Sequence, residues 1–388
     1  MHPMSLGGAQ ASILLQKKYL AKLGVSVTIF SGASASAVPH PDFVVLPSIP
    51  LTLDREYSLV LNFKKAVAKC EQVFAKNQFD LVHVQGDFWG ASLGSAMAKR
   101  HNLPLVITSH TNIEYGITKA LGSLFANLII RFMSKSHLKL MGATKTQSVT
   151  TNGWKYLAQV HEFADLSLAP SAHFAKALKD GGVKNPILVL PTGVDDEEIQ
   201  NVEKHRRIKG SPAKLIWAGR LLTEKRILPA LEAFAQADTN ASLVVYGSGP
   251  LEKLARAFVR TRGLTQRVTF IGRVSHQEML QAFADADALL QTSLGFETQG
   301  LTVFEALAVG TPVILSDSNI AGELPGGHHW LDESGTVSGL AETISNAVGE
   351  IEAAEPDSEL FTAATELLQS TFTARGIELY KSVLAKHS

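Results

Sequence analysis

The sequence predicts an α/β protein of two doubly wound domains, each a parallel sheet with crossover helices. Two observations carry this expectation. Strand-like apolar runs alternate with helical patterns from one end to the other, as βαβ units require. A chain of 388 residues also exceeds what one ordinary core organises.

The first series of strands reads "VSVTIFS" (25–31), "LVHVQG" (81–86), "PLVITSH" (104–110), "LSLAPS" (166–171) and "ILVLPTG" (187–193). Helical segments such as "FKKAVAKCEQVFAKN" (63–77) lie between them. A second series follows: "KLIWAG" (214–219), "SLVVYGSG" (242–249), "RVTFIG" (267–272), "ALLQTS" (288–293) and "TPVILSD" (311–317). The charged stretch "DDEEIQNVEKHRRIKGSPA" (195–213), ending in Gly-Ser-Pro, reads as an interdomain linker. The expected division is 1–195, then 196–365, with a helix over 366–388 returning to the N-terminal domain. A doubly wound domain normally opens on a strand, but "HPMSLGGAQASILLQKKYLAKLG" supplies only a glycine turn and a helix. The expectation is a start assigned late, or a truncation of roughly one strand and turn.

Composition is that of a globular protein, 45% hydrophobic with no net charge. The single cysteine, Cys70, excludes an internal disulfide framework and fits a reducing compartment. Neither a spanning apolar run nor a secretory signal is visible, so the chain reads as cytoplasmic. The neutral total hides an asymmetry. Residues 1–190 hold 19 Lys and Arg against 10 Asp and Glu, and residues 191–388 hold 17 against 26. The first half is therefore expected to face something anionic. Between Glu114 and Glu162 there is no acidic residue. Lys119, Arg131, Lys135, Lys139, Lys145 and Lys155 stand there among Leu121, Leu124, Phe125, Leu128, Ile129, Ile130, Phe132 and Met133. That mixture suits an anionic bilayer surface; the plainer alternative is a helix pair with a solvated basic face.

The most informative stretch is "SLGFETQGLTVFEALAVGTPVIL" (293–315), whose only charges are Glu297 and Glu305. A carboxylate in so apolar a run needs a partner. "GLTVFEALAVG" reads as a helix stopped by Gly310, which leaves the Gly300–Thr302 amides as an anion site. One of the two glutamates then holds sugar hydroxyls on one side of a phosphate and the other holds ribose hydroxyls on the opposite side, or Glu305 pairs with a core arginine. In "AGRLLTEKRI", Arg220 and Lys225 follow a strand and converge on a diphosphate, or are two surface cations. His110 ends a strand at the carboxyl edge of a sheet, where ligands bind, though a lone histidine is often structural.

Other patterns are set aside. "YGSGPLEKL" and "SLGGAQAS" lack the third glycine of a dinucleotide fingerprint, which argues against nicotinamide chemistry. Gly90-Ala91-Ser92-Leu93-Gly94 matches a nucleophile-elbow string, but "DFW" separates it from the strand. Asp285-Ala286-Asp287 sits at a helix end, and His328-His329 has no further ligand at metal spacing, so no metal site is expected.

Together these residues resemble glycosyltransferase family 4, retaining nucleotide-sugar transferases with two Rossmann-like domains facing a central cleft (the GT-B architecture). The resemblance covers nearly the whole chain. Its most specific element is E-x7-E, matched by Glu297 and Glu305 before "ALAVGTPVI"; "GRLLTEK", "GSGPLEKL", "RVTFIGRVSHQEM" and "LVLPTGVD" keep the family's order. The resemblance implies that Arg220 and Lys225 bind the donor diphosphate, that Gly219 and Gly247 belong to the donor site, and that Gly272 and Arg273 line the base. It implies Glu297 on hexose hydroxyls, Gly300, Leu301 and Thr302 on phosphate, and Glu305 on ribose. Gly8 would approach the reacting centre, and His110 would lie near the transferred sugar. His110, Arg220, Lys225 and Glu297 thereby form the implied catalytic set, with Lys119, Arg131, Lys135 and Lys139 toward membrane and acceptor. Ser248 stands where the family usually has aspartate, and Gln299 replaces a common aromatic. "ETQGLT" together with "SHTNIEYG" is similar to bacterial diacylglycerol glucosyltransferases, which are monotopic membrane enzymes. The implied partners are a nucleotide sugar (UDP-glucose or similar), a lipid acceptor and an anionic membrane surface, with no nucleic acid, no cofactor and no required metal. Rival readings are a phosphatidylinositol-like or soluble sugar acceptor, a nucleotide-sugar epimerase, and an inactive nucleotide-sugar-binding protein.

Overall fold

The structure, a computed structural model, describes residues 8–34, 40–50, 58–113, 123–142, 148–203, 207–326, 329–355 and 358–387. It divides into two compact units, 1–192 with 369–388, and 193–368. The boundaries fall at 192/193 and 368/369, against the expected 195/196 and 365/366.

In the first unit, β5 (Val82–Val84), β6 (Leu105–Thr108), β7 (Leu166–Ala169) and β8 (Ile187–Val189) form a parallel sheet in sequence order. Every residue of β6 and β7 is buried, which is why "LVIT" and "LSLA" run without apolar–polar alternation. The segment expected as a member of this sheet, 25–31, is placed differently. β1 (Ile29–Ser31) pairs in parallel with β2 (Phe43–Val45), a strand the sequence did not announce, in a separate two-stranded ladder. β3 (Ile49–Pro50) and β4 (Ser58–Leu59) make a short antiparallel pair. The helix Gln369–His387 belongs to this unit: Tyr380 and Val383 enter a core with Leu20, Val106, Leu168 and Leu190.

The second unit is built on a six-stranded parallel sheet ordered β11–β10–β9–β12–β13–β14. Its strands are β9 (Lys214–Ala218), β10 (Ser242–Tyr246), β11 (Val268–Gly272), β12 (Ala288–Gln291), β13 (Val313–Leu315) and β14 (His329–Leu331). Helices cover both faces. Ile227–Gln236 and Val337–Ala353 bury Phe234, Leu231 and Ile344 against one; His276–Ala284 and Leu301–Ala308 bury Phe283, Val303 and Leu307 against the other. Each such large side chain contributes about 1.5–3 kcal/mol by leaving water. Strand order reverses between β9 and β12. In an open α/β sheet such a reversal, outside the strands' carboxyl ends, is the usual ligand position.

The expected linker 195–213 is corrected. Its described residues lie inside the second unit. Asp195 caps the helix Asp196–Gln200, and the buried Arg207 guanidinium pairs with Asp287 at 2.7 Å. Asp195 and Arg207 are thus held by specific partners rather than left to solvent.

Candidate active site

The loops after β9 and β12 meet at the strand-order reversal and bring the sequence candidates together. After β9, the chain passes Gly219 and Arg220 to Lys225, whose backbone carbonyl accepts a hydrogen bond from the Thr292 hydroxyl at 2.8 Å. Trp217 donates its indole N–H to the same hydroxyl at 3.0 Å, so buried side chains fix the position of the loop. The Lys225 ammonium pairs with Glu297, and its Nζ lies 5.6 Å from the centroid of Phe296. The Ser293 hydroxyl donates to the same Glu297 oxygen at 2.8 Å. The Glu297 side chain is 12% exposed, so this pairing meets the need of a largely buried carboxylate. The buried Asp317 accepts the Gly295 N–H at 2.7 Å and anchors the loop that carries Glu297.

Gly300 has φ +85°, a left-handed conformation that turns the chain into the helix Leu301–Ala308. No side chain caps this N-terminus, so the first amides, Leu301 and Thr302, point outward as helix-start donors. Glu305, one turn further, is 17% exposed and is held by a residue that sequence reasoning did not select. His276 donates from Nε2 to Glu305 at 2.9 Å, and its Nδ1 is bonded to Glu198. The arginine alternative is thus replaced by a histidine. With a carboxylate on each ring nitrogen, the imidazole carries both protons; the bond to Glu305 leads in pushing it up to about 9.

Among the remaining candidates, Arg220 and Arg273 are exposed at the ends of β9 and β11, and neither makes an ion pair among the described residues. Gly272 has φ +90° with open space on its Cβ side. Gly247 is different. Its N–H donates to the Gly272 carbonyl at 2.7 Å, and a Cβ on it would strike the carbonyl oxygen of Gly219. The close approach that its glycine permits is to neighbouring backbone, so its amide is already committed.

In the first unit, His110 lies at the carboxyl edge of β6. Its Nε2 bonds to the Gln85 side-chain oxygen at 3.2 Å, and the Gln85 amide donates to Gln16. Gln16 in turn donates to Tyr380 at 3.3 Å, and that hydroxyl bonds His83 at 2.7 Å. Because Gln85 presents its oxygen to the ring, the His110 proton sits on Nε2. Burial lowers His110 to about 4, so it is a neutral imidazole at physiological pH. Ser12, Gln16, Gln85, Thr108, His110 and Thr192 help to line a cavity of about 20 Å³, room for one water. The buried Asp87 accepts the backbone N–H groups of His110 and Thr111 at 3.0 and 2.8 Å. Burial raises its carboxyl to about 6, against the opposing pull of these hydrogen bonds. Gly8 begins the helix Gly8–Lys22 and does not line the His110 cavity.

Arg131, Lys135 and Lys139 lie on one exposed face of the helix Ser123–Met141, together with Leu124, Phe125, Leu128 and Phe132. Leu124, Phe125 and Leu128 are 83%, 67% and 64% exposed. The opposite face buries Ala126, Ile130 and Met133. The solvated face is therefore apolar as well as basic. Lys119 falls outside the described residues, as do Lys145, Leu121 and His328. Among the described residues no helix is long and apolar enough to cross a membrane, and no three His, Cys, Asp or Glu side chains gather as metal ligands. Gly94 packs its helix against Val84, which accounts for the elbow-like string.

Residues 6–198 match the model described as Glycosyltransferase Family 4, and residues 198–355 match Glycosyl transferases group 1. The alpha-monoglucosyldiacylglycerol synthase of Streptococcus pneumoniae is 26% identical over 80% of this chain and 68% of its own length. Its counterpart in Acholeplasma laidlawii is 24% identical over 80% and 77%. A phosphatidyl-myo-inositol mannosyltransferase of Mycobacterium leprae is 22% identical over 80% and 75%. Among solved structures, the sucrose-phosphate synthase of Thermosynechococcus elongatus superposes with TM-score 0.72 at 20% identity, over 98% of this chain and 94% of that one. Anabaena HepE in complex with UDP and glucose gives 0.68 at 18% identity, covering 98% of each chain. Two parallel α/β units, a strand-order reversal bearing Lys225, Glu297 and Gly300, and two matching models spanning residues 6–355 lead to one conclusion: the chain is an enzyme of the family 4, group 1 glycosyltransferases, with the GT-B fold.

Proposed function

We propose that this glycosyltransferase moves a hexose from a nucleoside diphosphate sugar, UDP-glucose or similar, to a lipid hydroxyl such as that of diacylglycerol. The anomeric configuration is retained. The observation that carries the donor half is the Lys225–Glu297 pair beside the uncapped helix start at Gly300. An ammonium keeps two further N–H donors after one meets Glu297, and these serve the leaving diphosphate with the Leu301 and Thr302 amides. Arg220 adds its planar fork. As the C1–O bond to phosphate breaks, charge grows on the leaving oxygen, where these donors are already oriented. The acceptor hydroxyl bonds to C1 on the same face, and its proton passes to the departing phosphate. Glu297 receives hexose hydroxyls, Glu305 the ribose, and the neutral His110 imidazole a hydroxyl of hexose or acceptor. Arg273 and Gly272 border the base. Charge stabilisation by these side chains makes the reaction independent of a divalent metal.

The acceptor half rests on the exposed face of the helix Ser123–Met141. Leu124, Phe125 and Leu128 enter the acyl boundary while Arg131, Lys135 and Lys139 meet anionic headgroups. The enzyme acts as a peripheral protein on the inner face of the cell membrane. Two of the relatives carry diacylglycerol in the name of their product, which agrees with this acceptor. A second reading, a phosphatidylinositol-like acceptor, is favoured by the name of the mycobacterial relative.

A donor-by-acceptor matrix tests both halves. UDP- and GDP-sugars are combined with diacylglycerol, phosphatidylinositol and soluble sugars, and nucleotide release and glycolipid are measured. Glycolipid from UDP-glucose and diacylglycerol is expected. Product only on phosphatidylinositol or on a soluble sugar overturns the acceptor; nucleotide released without any acceptor points to an epimerase.

A further inference from the structure

We infer that His276 is a positioning residue for the donor: it fixes the plane of the Glu305 carboxylate so that both oxygens face a vicinal diol. This rests on the donor reading above, in which Glu305 receives ribose hydroxyls. His276 opens the helix His276–Ala284, whose start is fixed by Ser275 through a capping box with Glu278. The ring is therefore delivered from a rigid helix end. It reaches Glu305 on the helix Leu301–Ala308 with Nε2 and Glu198 on the helix Asp196–Gln200 with Nδ1. Those two helices supply the carboxylates facing the ring, and Glu278 of its own helix is occupied with Ser275.

Glu305 on its own has three rotatable side-chain bonds, and among the described residues no second partner settles its carboxylate. One N–H on Oε1 removes that freedom before the ligand arrives. Oε2 and the second lone pair of Oε1 remain for two hydroxyls. A ribose diol is matched to such a pair of acceptors, and a 2′-deoxyribose is not. Glu198 completes the device by holding the ring from behind, so the imidazole cannot rotate away. The arrangement also answers the cost of a largely buried Glu305 while the site is empty.

Calorimetric titration of the full-length protein with ADP, GDP, CDP and UDP, each alone, and with the 2′-deoxy form of whichever binds best, tests the assignment. His276→Gln and His276→Asn are compared with Glu305→Ala, Glu198→Gln and the double variant His276→Gln/Glu305→Ala; thermal melting checks that each is folded. The expected result is 5- to 20-fold weaker binding for His276→Gln. Glu305→Ala is at least as weak, and the double variant no weaker than Glu305→Ala. Preference for the ribo over the deoxy ligand shrinks in parallel. Wild-type affinity is expected to fall as pH passes through about 9, where the ring loses its second proton, and the His276→Gln profile to stay flat. Weak binding by Glu305→Ala with wild-type binding by both folded His276 variants overturns the role of His276 and leaves the donor reading standing. Wild-type affinity in Glu305→Ala, or no diphosphate bound by the wild type, overturns the donor reading and this inference with it.

Discussion

The Asp87 carboxylate receives two consecutive backbone N–H groups, those of His110 and Thr111, and so pins the turn that follows β6. Where His110 points is thus decided from a neighbouring strand end, 23 residues earlier in the chain.

Replacing Asp87 by alanine leaves two buried amides without an acceptor, at about 1–3 kcal/mol. Thermal unfolding is expected to report that loss, and kcat to fall more than tenfold as His110 moves. The pH dependence has a definite sign. Burial raises the folded carboxyl from 3.8 to about 6, so the folded state holds its proton longer than the unfolded chain. Stability is then lost as pH rises from about 4 to about 6 and levels off above. Measured against Asp87→Asn over that range, the wild type should lose on the order of 3 kcal/mol. A difference independent of pH contradicts the assignment.

Lys225 and Glu297 are expected to fail in distinguishable ways. Lys225→Met strips Glu297 of its ammonium and lowers stability by about 2 kcal/mol, with kcat/KM down at least 100-fold. Lys225→Met/Glu297→Gln should recover most of the stability and none of the activity. Melting curves beside steady-state kinetics read both quantities from one preparation.

Vesicle co-sedimentation addresses the helix Ser123–Met141. Neutralising Arg131, Lys135 and Lys139 together removes about 3 kcal/mol of attraction to an anionic surface, roughly 100-fold in partitioning. Leu124→Ser/Phe125→Ser/Leu128→Ser should weaken binding to anionic and neutral vesicles alike. The basic triple variant should lose only the component that high salt also abolishes.

Chelation tests the charge stabilisation assigned to side chains. Exhaustive dialysis against EDTA is expected to leave turnover within about twofold if Arg220 and Lys225 neutralise the diphosphate as proposed. Loss of activity restored by magnesium or manganese would refute that assignment.

The sheets were legible because βαβ units repeat a strong local pattern, and the loops after β9 and β12 drew notice because glycine, lysine and glutamate recur there at short spacing. What escaped depends on distant partners. His276 carries no local sign of the two carboxylates that meet it, 78 and 29 residues away in sequence. Asp87 is one aspartate in a turn, with no periodicity to mark it. Residues 195–213 looked like a solvated tether because their charges are dense, yet Arg207 is buried against Asp287, 80 positions later. β14 was missed because His329-Trp330-Leu331 is short and begins on a polar residue.

The backbone interlock of Gly219 and Gly247 limits how this enzyme can change. Any side chain at 247 would push the loop after β10 off the loop after β9, and with it the start of the segment carrying Arg220. The two loops therefore hold together as one casting. On the donor reading proposed above, a change of nucleotide sugar has to be made at a side chain such as the exposed Arg273, with the glycine contact beneath it left alone.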